Sequence, residues 1–143
     1  MKTRLTLRIA SIVMFLFAAG HSLGGKDSWS PAGETDVLRA MRSVRFDAGG
    51  VSRTYMDFYM GFGWTLAVFM LLQAVLLWQI AAIAKRDAPS VRPMIASFFI
   101  ATVASACVSW ILILPIPVIF SALLAACLAF AFFTAGRESA GDS

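Results

Sequence analysis

Residues 53–84 have the sequence RTYMDFYMGFGWTLAVFMLLQAVLLWQIAAIA, and no charged residue occurs between Phe58 and Ala84. About 20 apolar residues cross the hydrocarbon core of a bilayer, so this stretch is long enough to span a membrane with some tilt or overhang. Aromatic residues are concentrated at its start, as they are at a membrane–water interface. The stretch therefore predicts a membrane-spanning helix over residues 58–84, and the rest of the chain is interpreted outward from it.

The composition of the whole chain is that of a membrane protein. Of its 143 residues, 59% are hydrophobic, and the mean hydropathy of +0.79 is far above that of a soluble domain. The formal net charge is +4, but the basic residues flank apolar runs instead of forming one surface patch. The charge pattern therefore argues against nucleic acid as a partner.

The two cysteines give no sign of a metal site. Cys107 and Cys127 both lie inside apolar stretches, and we interpret them as small buried hydrophobic residues. The chain has neither a CxxC motif nor histidine and cysteine at the spacing of metal ligands. We therefore expect no metal and no cofactor.

A second apolar stretch begins near the start of the chain. Residues 9–20 carry no charge and follow the basic residues Lys2, Arg4 and Arg8. One interpretation is a signal peptide, cut near the small residues at positions 18–20. The other is an uncleaved span over residues 5–23, with Arg8 reaching the headgroups. We favour the uncleaved span, because the other spans need a partner helix.

The last apolar stretch predicts a helical hairpin. Residues 93–136 are uncharged, which is too long for one crossing, and Pro115 and Pro117 divide the stretch. The predicted spans are residues 93–114 and 118–135, followed by a polar tail over residues 136–143. Together with the first two spans, they give an all-α integral membrane four-helix bundle in a single domain.

Small residues recur at every fourth position in this hairpin. That spacing lets two membrane helices approach closely, so it predicts the seam along which the third and fourth spans pack. The residues concerned are Ser97, Ala101, Ser105 and Ser109 in the third span, and Ser121, Ala125 and Ala129 in the fourth.

The polar loop over residues 24–56 connects the first two spans. Ser30 followed by Pro31 is a plausible helix start. Residues 34–44 place their apolar side chains on one face, which predicts a short amphipathic surface helix or, alternatively, a lid. Gly49 and Gly50, directly after Asp47, predict a turn.

The distribution of lysine and arginine indicates the orientation. With four spans, the N-terminus, the basic turn at residues 85–92 and the tail share one side of the membrane, and the basic residues there are the more densely spaced. Both termini are therefore expected in the cytoplasm.

Titratable side chains near the spans gather at the outer mouth of the bundle. Asp57 follows Arg53 by four positions, so the two are expected to form an ion pair if the helix begins before Arg53. His21, the one histidine of the chain, is placed on the same side of the membrane. Asp57 and His21 are the candidate proton-transfer residues. The ligand-binding candidates are His21, Asp47, Arg53, Tyr55, Asp57, Tyr59 and Trp64.

Two segments of the chain carry a resemblance to a known type of protein. Residues 20–24, Gly-His-Ser-Leu-Gly, and residues 53–63, Arg-Thr-Tyr-Met-Asp-Phe-Tyr-Met-Gly-Phe-Gly, resemble a family of uncharacterised small bacterial four-helix membrane proteins. The resemblance covers about the first 85 residues in detail and the rest as hydropathy. It implies a four-helix bundle in a bacterial inner membrane, and it brings no catalytic residues. In general plan the chain is also loosely similar to DoxX-like proteins.

Three classes of function follow from these observations. The first is a non-catalytic membrane protein that binds a lipid-like molecule, or a partner membrane protein or second copy of the chain, at the outer mouth. The second is a membrane-embedded acid–base enzyme acting on a lipid or isoprenoid through Asp57 and His21. The third is a small oligomeric transporter, which the scarcity of polar residues along the spans disfavours. We favour the first class.

Overall fold

Four long apolar helices dominate the architecture, which a computed structural model describes for residues 2–140, with side chains for residues 2–138. A short helix and a two-stranded hairpin lie between the first two long helices. In chain order the elements are α1 (Lys2–Gly25), α2 (Asp36–Ser43), β1 (Arg45–Ala48), β2 (Val51–Thr54), α3 (Tyr55–Ala84), a 3-10 turn (Pro89–Val91), α4 (Arg92–Leu112) and α5 (Pro115–Ala140). The predicted fold class is confirmed.

Each long helix has the length and apolarity needed to cross a bilayer. The qualifying segments are Lys2–Gly25, Tyr55–Ala84, Pro89–Leu112 and Pro115–Glu138. A helix satisfies its backbone hydrogen bonds internally, which hydrocarbon requires of any spanning segment. The chain is a multi-pass membrane protein.

The two prolines at residues 115 and 117 begin α5 instead of lying between two helices. Pro115 occupies the first position of α5 and Pro117 the third. The first N–H groups of a helix have no intrahelical acceptor, so a proline there loses nothing. The helix consequently begins three residues before the predicted span, and at its other end it continues through residues 136–140 of the predicted tail; residues 141–143 lie outside the described part.

The chain divides into two compact units. Unit 1 contains the residues up to Phe17 and those from Met70 onward, and unit 2 contains Ala18–Phe69. Unit 1 therefore includes the first part of α1, the second half of α3, and all of α4 and α5.

Unit 1 is held together by polar and aromatic contacts around an aliphatic core. The Thr3 hydroxyl donates to Thr134 Oγ1 of α5 at 2.9 Å, and Phe17 stacks on Phe120 with ring centroids 4.9 Å apart. Ser11 Oγ donates to the Ala74 carbonyl of α3 at 2.7 Å. Helix α1 thus contacts both α3 and α5. The largest fully buried aliphatic side chains of this unit are Leu7, Leu77, Val91, Ile95, Leu124 and Leu128.

The hairpin of α4 and α5 is present, but the predicted seam is wrong in most of its α4 residues. Ser97, Ala101 and Ser105 are exposed, whereas Thr102 and Ser109 are buried. In α5, Ser121 is buried, and Ala125 and Ala129 are half-buried. Buried positions on α4 recur every seven residues, at Ile95, Thr102 and Ser109. The buried face of α4 therefore follows this seven-residue spacing, and Ser109 is the one residue that it shares with the predicted stripe.

The interpretation of the cysteines is also partly wrong. Cys107 is exposed, and Cys127 is half-buried. Cysteine is apolar enough to face lipid, so its presence in an apolar helix does not require burial in protein.

Unit 2 contains a hairpin that the sequence analysis reduced to its turn. Strands β1 and β2 pair antiparallel, with Ala48 opposite Val51. Gly49 and Gly50 have φ values of 60° and 78°. Positive φ at both central residues defines a type I′ turn, whose twist matches that of the strands and which glycine adopts without strain.

The short helix of unit 2 begins later than expected. The predicted start at Ser30 and Pro31 is wrong, and the helix runs over Asp36–Ser43 within the predicted 34–44. Thr35 caps it by accepting a hydrogen bond from the Leu38 N–H at 3.2 Å. The Ser30 hydroxyl instead donates to the Gly33 carbonyl at 2.8 Å, so it is used within the loop and caps no helix. Leu38 is the buried residue of this helix.

Leucine burial in α5 gives a test of this packing. Leu128 is fully buried, whereas Leu123 on the same helix is 53% exposed. We expect Leu128→Ala to destabilise the fold by about 2 kcal/mol or more. The substitution leaves a cavity inside the protein, and the residues around it lose packing contacts that lipid does not replace. Leu123→Ala is the matched control and should change little. Thermal unfolding in mild detergent measures both, and equal unfolding temperatures for the two variants would contradict the assigned core.

Candidate functional site

His21, near the end of α1, is tied to the backbone of α3. Its Nε2 atom lies 3.0 Å from the Gly63 carbonyl oxygen. A carbonyl oxygen only accepts hydrogen bonds, so the contact requires a proton on Nε2. The side chain is half-buried. One ring nitrogen of this candidate proton-transfer residue is therefore engaged in a contact between two helices.

Trp29, which the sequence analysis missed, packs directly on this histidine. The indole stacks on the His21 ring with centroids 5.0 Å apart and planes 28° from parallel, and its Nε1–H donates to the His21 carbonyl at 2.8 Å. It also meets Trp64 at 5.3 Å and Tyr59 at 6.3 Å, edge to face in both cases. Tyr59 and Trp64 are thus brought together with His21, and Trp29 is the side chain that joins them.

Three glycines make room for the indole. A Cβ atom on Gly25 would lie 2.8 Å from Trp29 Cζ2, and one on Gly24 would lie 3.2 Å from Cδ1. On Gly63, a Cβ would overlap the six-membered ring of the indole. Gly24, Gly25 and Gly63 therefore have a steric role, whereas a Cβ on Gly20 or Gly61 would meet nothing within 4 Å. Below, the Trp29 cluster means Trp29 with His21, Gly24, Gly25, Gly63, Tyr59 and Trp64.

The backbone that delivers Trp29 is in an unusual conformation. Ser28 and Trp29 have φ values of 57° and 48°, in the left-handed region. That conformation costs a residue with a Cβ roughly 1–2 kcal/mol. It is held by hydrogen bonds from the Trp29 N–H to the Gly24 carbonyl and from the Ser28 N–H to the Gly25 carbonyl. The packed indole and these bonds offset the cost.

Asp57 does not form the predicted ion pair with Arg53. Its Oδ2 atom accepts from the Thr54 N–H at 2.9 Å, and Thr54 Oγ1 accepts from the Asp57 N–H at 3.0 Å. This reciprocal pair is a capping box at the start of α3, because it satisfies two N–H groups that lack helical acceptors. Arg53 instead donates to the Ser52 carbonyl at 3.1 Å. The helix begins after Arg53, so the assumed i, i+4 geometry is absent.

The two candidate proton-transfer residues are not assembled into one pocket. His21 contacts Gly63, which follows Asp57 by six positions along α3. At 1.5 Å per residue the two levels are about 9 Å apart along the helix axis. Asp57 is exposed at the helix start, whereas His21 is half-buried. This arrangement provides no acid and base that converge on a common substrate atom.

A row of ring contacts surrounds the start of α3. Phe46 of β1 lies 5.0 Å from Tyr55 and 5.7 Å from Phe58, and Phe58 meets Phe62 at 4.8 Å, all between ring centroids. We call Phe46, Tyr55, Phe58 and Phe62 the aromatic patch. Tyr55 was a predicted site residue, and the three phenylalanines were not. Asp47, also predicted, is exposed in β1 opposite Ser52.

The described residues contain no group of three histidine, cysteine, aspartate or glutamate side chains placed to hold a metal ion.

The chain matches no protein-family model, no curated protein and no solved structure. The resemblance to the small bacterial four-helix family therefore stays a prediction. What can be said of function rests on the geometry of the two units.

The glycines of α3 allow a sharp test of the Trp29 cluster. Gly61→Ala places its methyl group in open space, whereas Gly63→Ala directs it into the indole. Alanine is the better helix former by about 0.5–1 kcal/mol, so Gly61→Ala should raise the thermal unfolding temperature in detergent. Gly63→Ala should lower it, since overpacking costs about 1–3 kcal/mol. An equal rise for both variants would show that the indole is not seated on Gly63.

Proposed function

We propose that this chain is a non-catalytic membrane protein that binds a lipid-like molecule at the aromatic patch. A partner membrane protein, or a second copy of the chain, is the alternative occupant of the same surface. We place the protein in a bacterial inner membrane with both termini in the cytoplasm. The cationic residues at the start of α1 and around the turn before α4 support that orientation, because basic residues favour the cytoplasmic side.

The observation that carries the proposal is the exposure of the aromatic patch. Phe62 is 64% exposed, Phe58 is 53% exposed and Tyr55 is 50% exposed, although Phe58 packs on Phe62 and Tyr55 on Phe46. Aromatic rings held in a fixed arrangement offer a large apolar contact area at a small cost in side-chain entropy. The patch lies where α3 begins, and aromatic side chains favour the membrane interface.

The hairpin adds positive charge beside the rings. Arg53 stands opposite Phe46 in the β1–β2 register, and directly opposed residues of an antiparallel pair share one face. A molecule with an apolar body and a polar or anionic head is complementary to this surface.

The contacts of the candidate catalytic residues weigh against the enzyme alternative. The carboxylate of Asp57 accepts a backbone hydrogen bond in the capping box, and His21 is bonded to Gly63. Both side chains have structural partners, and neither faces the other. We therefore interpret Asp57 and His21 as structural residues, and the aromatic patch as the binding surface.

Removal of two rings tests the binding surface. We expect Phe58→Ala with Phe62→Ala to reduce the lipid retained by the purified protein roughly tenfold, because each ring contributes about 0.5–1.5 kcal/mol beyond its buried area. Phe69→Ala is the matched control, since this phenylalanine on α3 is 55% exposed and lies outside the patch. Native mass spectrometry of protein extracted in mild detergent gives the bound fraction.

Two outcomes would contradict the proposal in different ways. Equal lipid retention in the double variant and in the Phe69→Ala control would remove the patch as a lipid site. If the double variant instead loses a bound protein or changes its oligomeric state while retaining its lipid, the occupant is a protein.

A further inference from the structure

Unit 1 contains a basic cleft that has no part in the proposed function. The cleft has a volume of about 590 Å³ and lies between the start of α1 and the turn after α3. Four cationic side chains line it, whereas Asp87 is its one carboxylate among the lining residues. We call Arg4, Arg8, Lys85 and Arg86 the basic cleft.

The cations of the cleft have no carboxylate partner among the described side chains. Among the described side chains, ion pairs join Arg39 to Asp36 and Arg42 to Glu34. Both pairs lie outside the cleft. The Asp87 carboxylate accepts from the Ser90 N–H at 3.2 Å and so caps the following turn. The cleft therefore carries four positive charges against the single negative charge of Asp87, and none of the four cations forms an ion pair with a described carboxylate.

Two of the arginines are partly withdrawn from solvent. The Nε atoms of Arg4 and Arg8 are buried without a hydrogen-bond partner in the described residues. The Arg8 guanidinium lies 4.5 Å above the ring of Trp78 in α3, which fixes its position. A desolvated guanidinium is costly unless an anion pairs with it. Phosphate oxygens suit arginine especially well, because they accept two of its N–H groups at once.

An apolar groove adjoins the cleft. It has a volume of about 420 Å³, lies between α3 and α4, and shares Ile83 with the cleft. Leu76, Ile80, Met94 and Phe98 supply its apolar surface, while Gln79 and Ser97 also border it. The groove has the character of a surface for a hydrocarbon chain, and it leads from the cleft.

We propose that unit 1 binds an anionic phospholipid, with the phosphate in the basic cleft and an acyl chain along the apolar groove. The charge of the cleft selects an anion, and the adjoining groove selects an amphiphile over a free phosphate compound. Basic pockets between membrane helices are suited to anionic headgroups. The proposal uses none of the residues of the aromatic patch, so it stands or falls separately from the proposed function.

The charge of the cleft is tested by a double substitution. Lys85→Gln with Arg86→Gln removes two exposed cations, and Lys26→Gln with Arg137→Gln removes two exposed cations elsewhere. Each full-length protein in mild detergent is titrated with phosphatidylglycerol and with phosphatidylcholine, and native mass spectrometry measures binding. We expect phosphatidylglycerol to bind more tightly, and the cleft variant to lose roughly tenfold or more of that affinity. The control variant should keep it.

The apolar groove is tested independently of charge. Ser97→Phe places a ring in the groove, whereas Ser105→Phe places one at an exposed position of the same helix outside it. We expect Ser97→Phe to weaken phosphatidylglycerol binding at least severalfold and Ser105→Phe to leave it unchanged. Because Ser97 is exposed, the folded state should tolerate the ring, and the thermal unfolding temperature checks this.

The competing outcomes are distinct. Equal binding of the two lipids, or equal loss in the cleft variant and its charge control, would overturn the proposal. Displacement of the lipid by inorganic phosphate, with no effect of Ser97→Phe, would assign the cleft to a free phosphate compound and also overturn it. Loss of phosphatidylglycerol in the Phe58→Ala and Phe62→Ala variant alone would place the lipid at the aromatic patch instead.

Discussion

Backbone hydrogen bonding in hydrocarbon is the constraint on which this structure depends. Lipid chains offer no partner to an N–H or C=O group, so a spanning segment must satisfy these groups itself. The four long helices do so along their lengths. At the helix starts, where N–H groups have no intrahelical acceptor, particular residues satisfy or remove these groups. Thr54 and Asp57 satisfy N–H groups at the start of α3, and Pro115 begins α5 where no donor is needed. The chain segments that looked functional are mostly these helix ends.

The Trp29 cluster follows from the same constraint. Helix α1 ends at Gly25, and the chain then folds back so that the Trp29 N–H bonds to the Gly24 carbonyl. This reversal of the chain places the indole against glycine backbone of α1 and α3. There its Nε1–H also donates to the His21 carbonyl. A single aromatic side chain thereby connects two helix ends inside unit 2. The histidine orients this packing and has no acidic partner there.

The sequence was sufficient for the fold class because hydropathy reports directly on membrane spans. It was insufficient for the site, because the decisive contacts are steric and depend on the loop conformation. Trp29 lies in a loop without periodicity, and no pattern placed it beside Gly63. The capping box of Thr54 and Asp57 was visible as a three-residue spacing, but we assigned the acid to Arg53 at four. The seam of α4 was misplaced because spacing alone cannot tell which helix face is buried.

The bond from His21 Nε2 to the Gly63 carbonyl is the contact that assigns this side chain to packing. As the chain has one histidine, selective ¹⁵N-histidine labelling gives ring signals that need no assignment. A proton–nitrogen correlation spectrum should show one Nε2–H signal that persists against exchange with water, because the carbonyl holds that proton. An absent ring N–H signal, or a ring protonated on Nδ1 alone, would mean that Nε2 does not donate to Gly63 and would contradict the account.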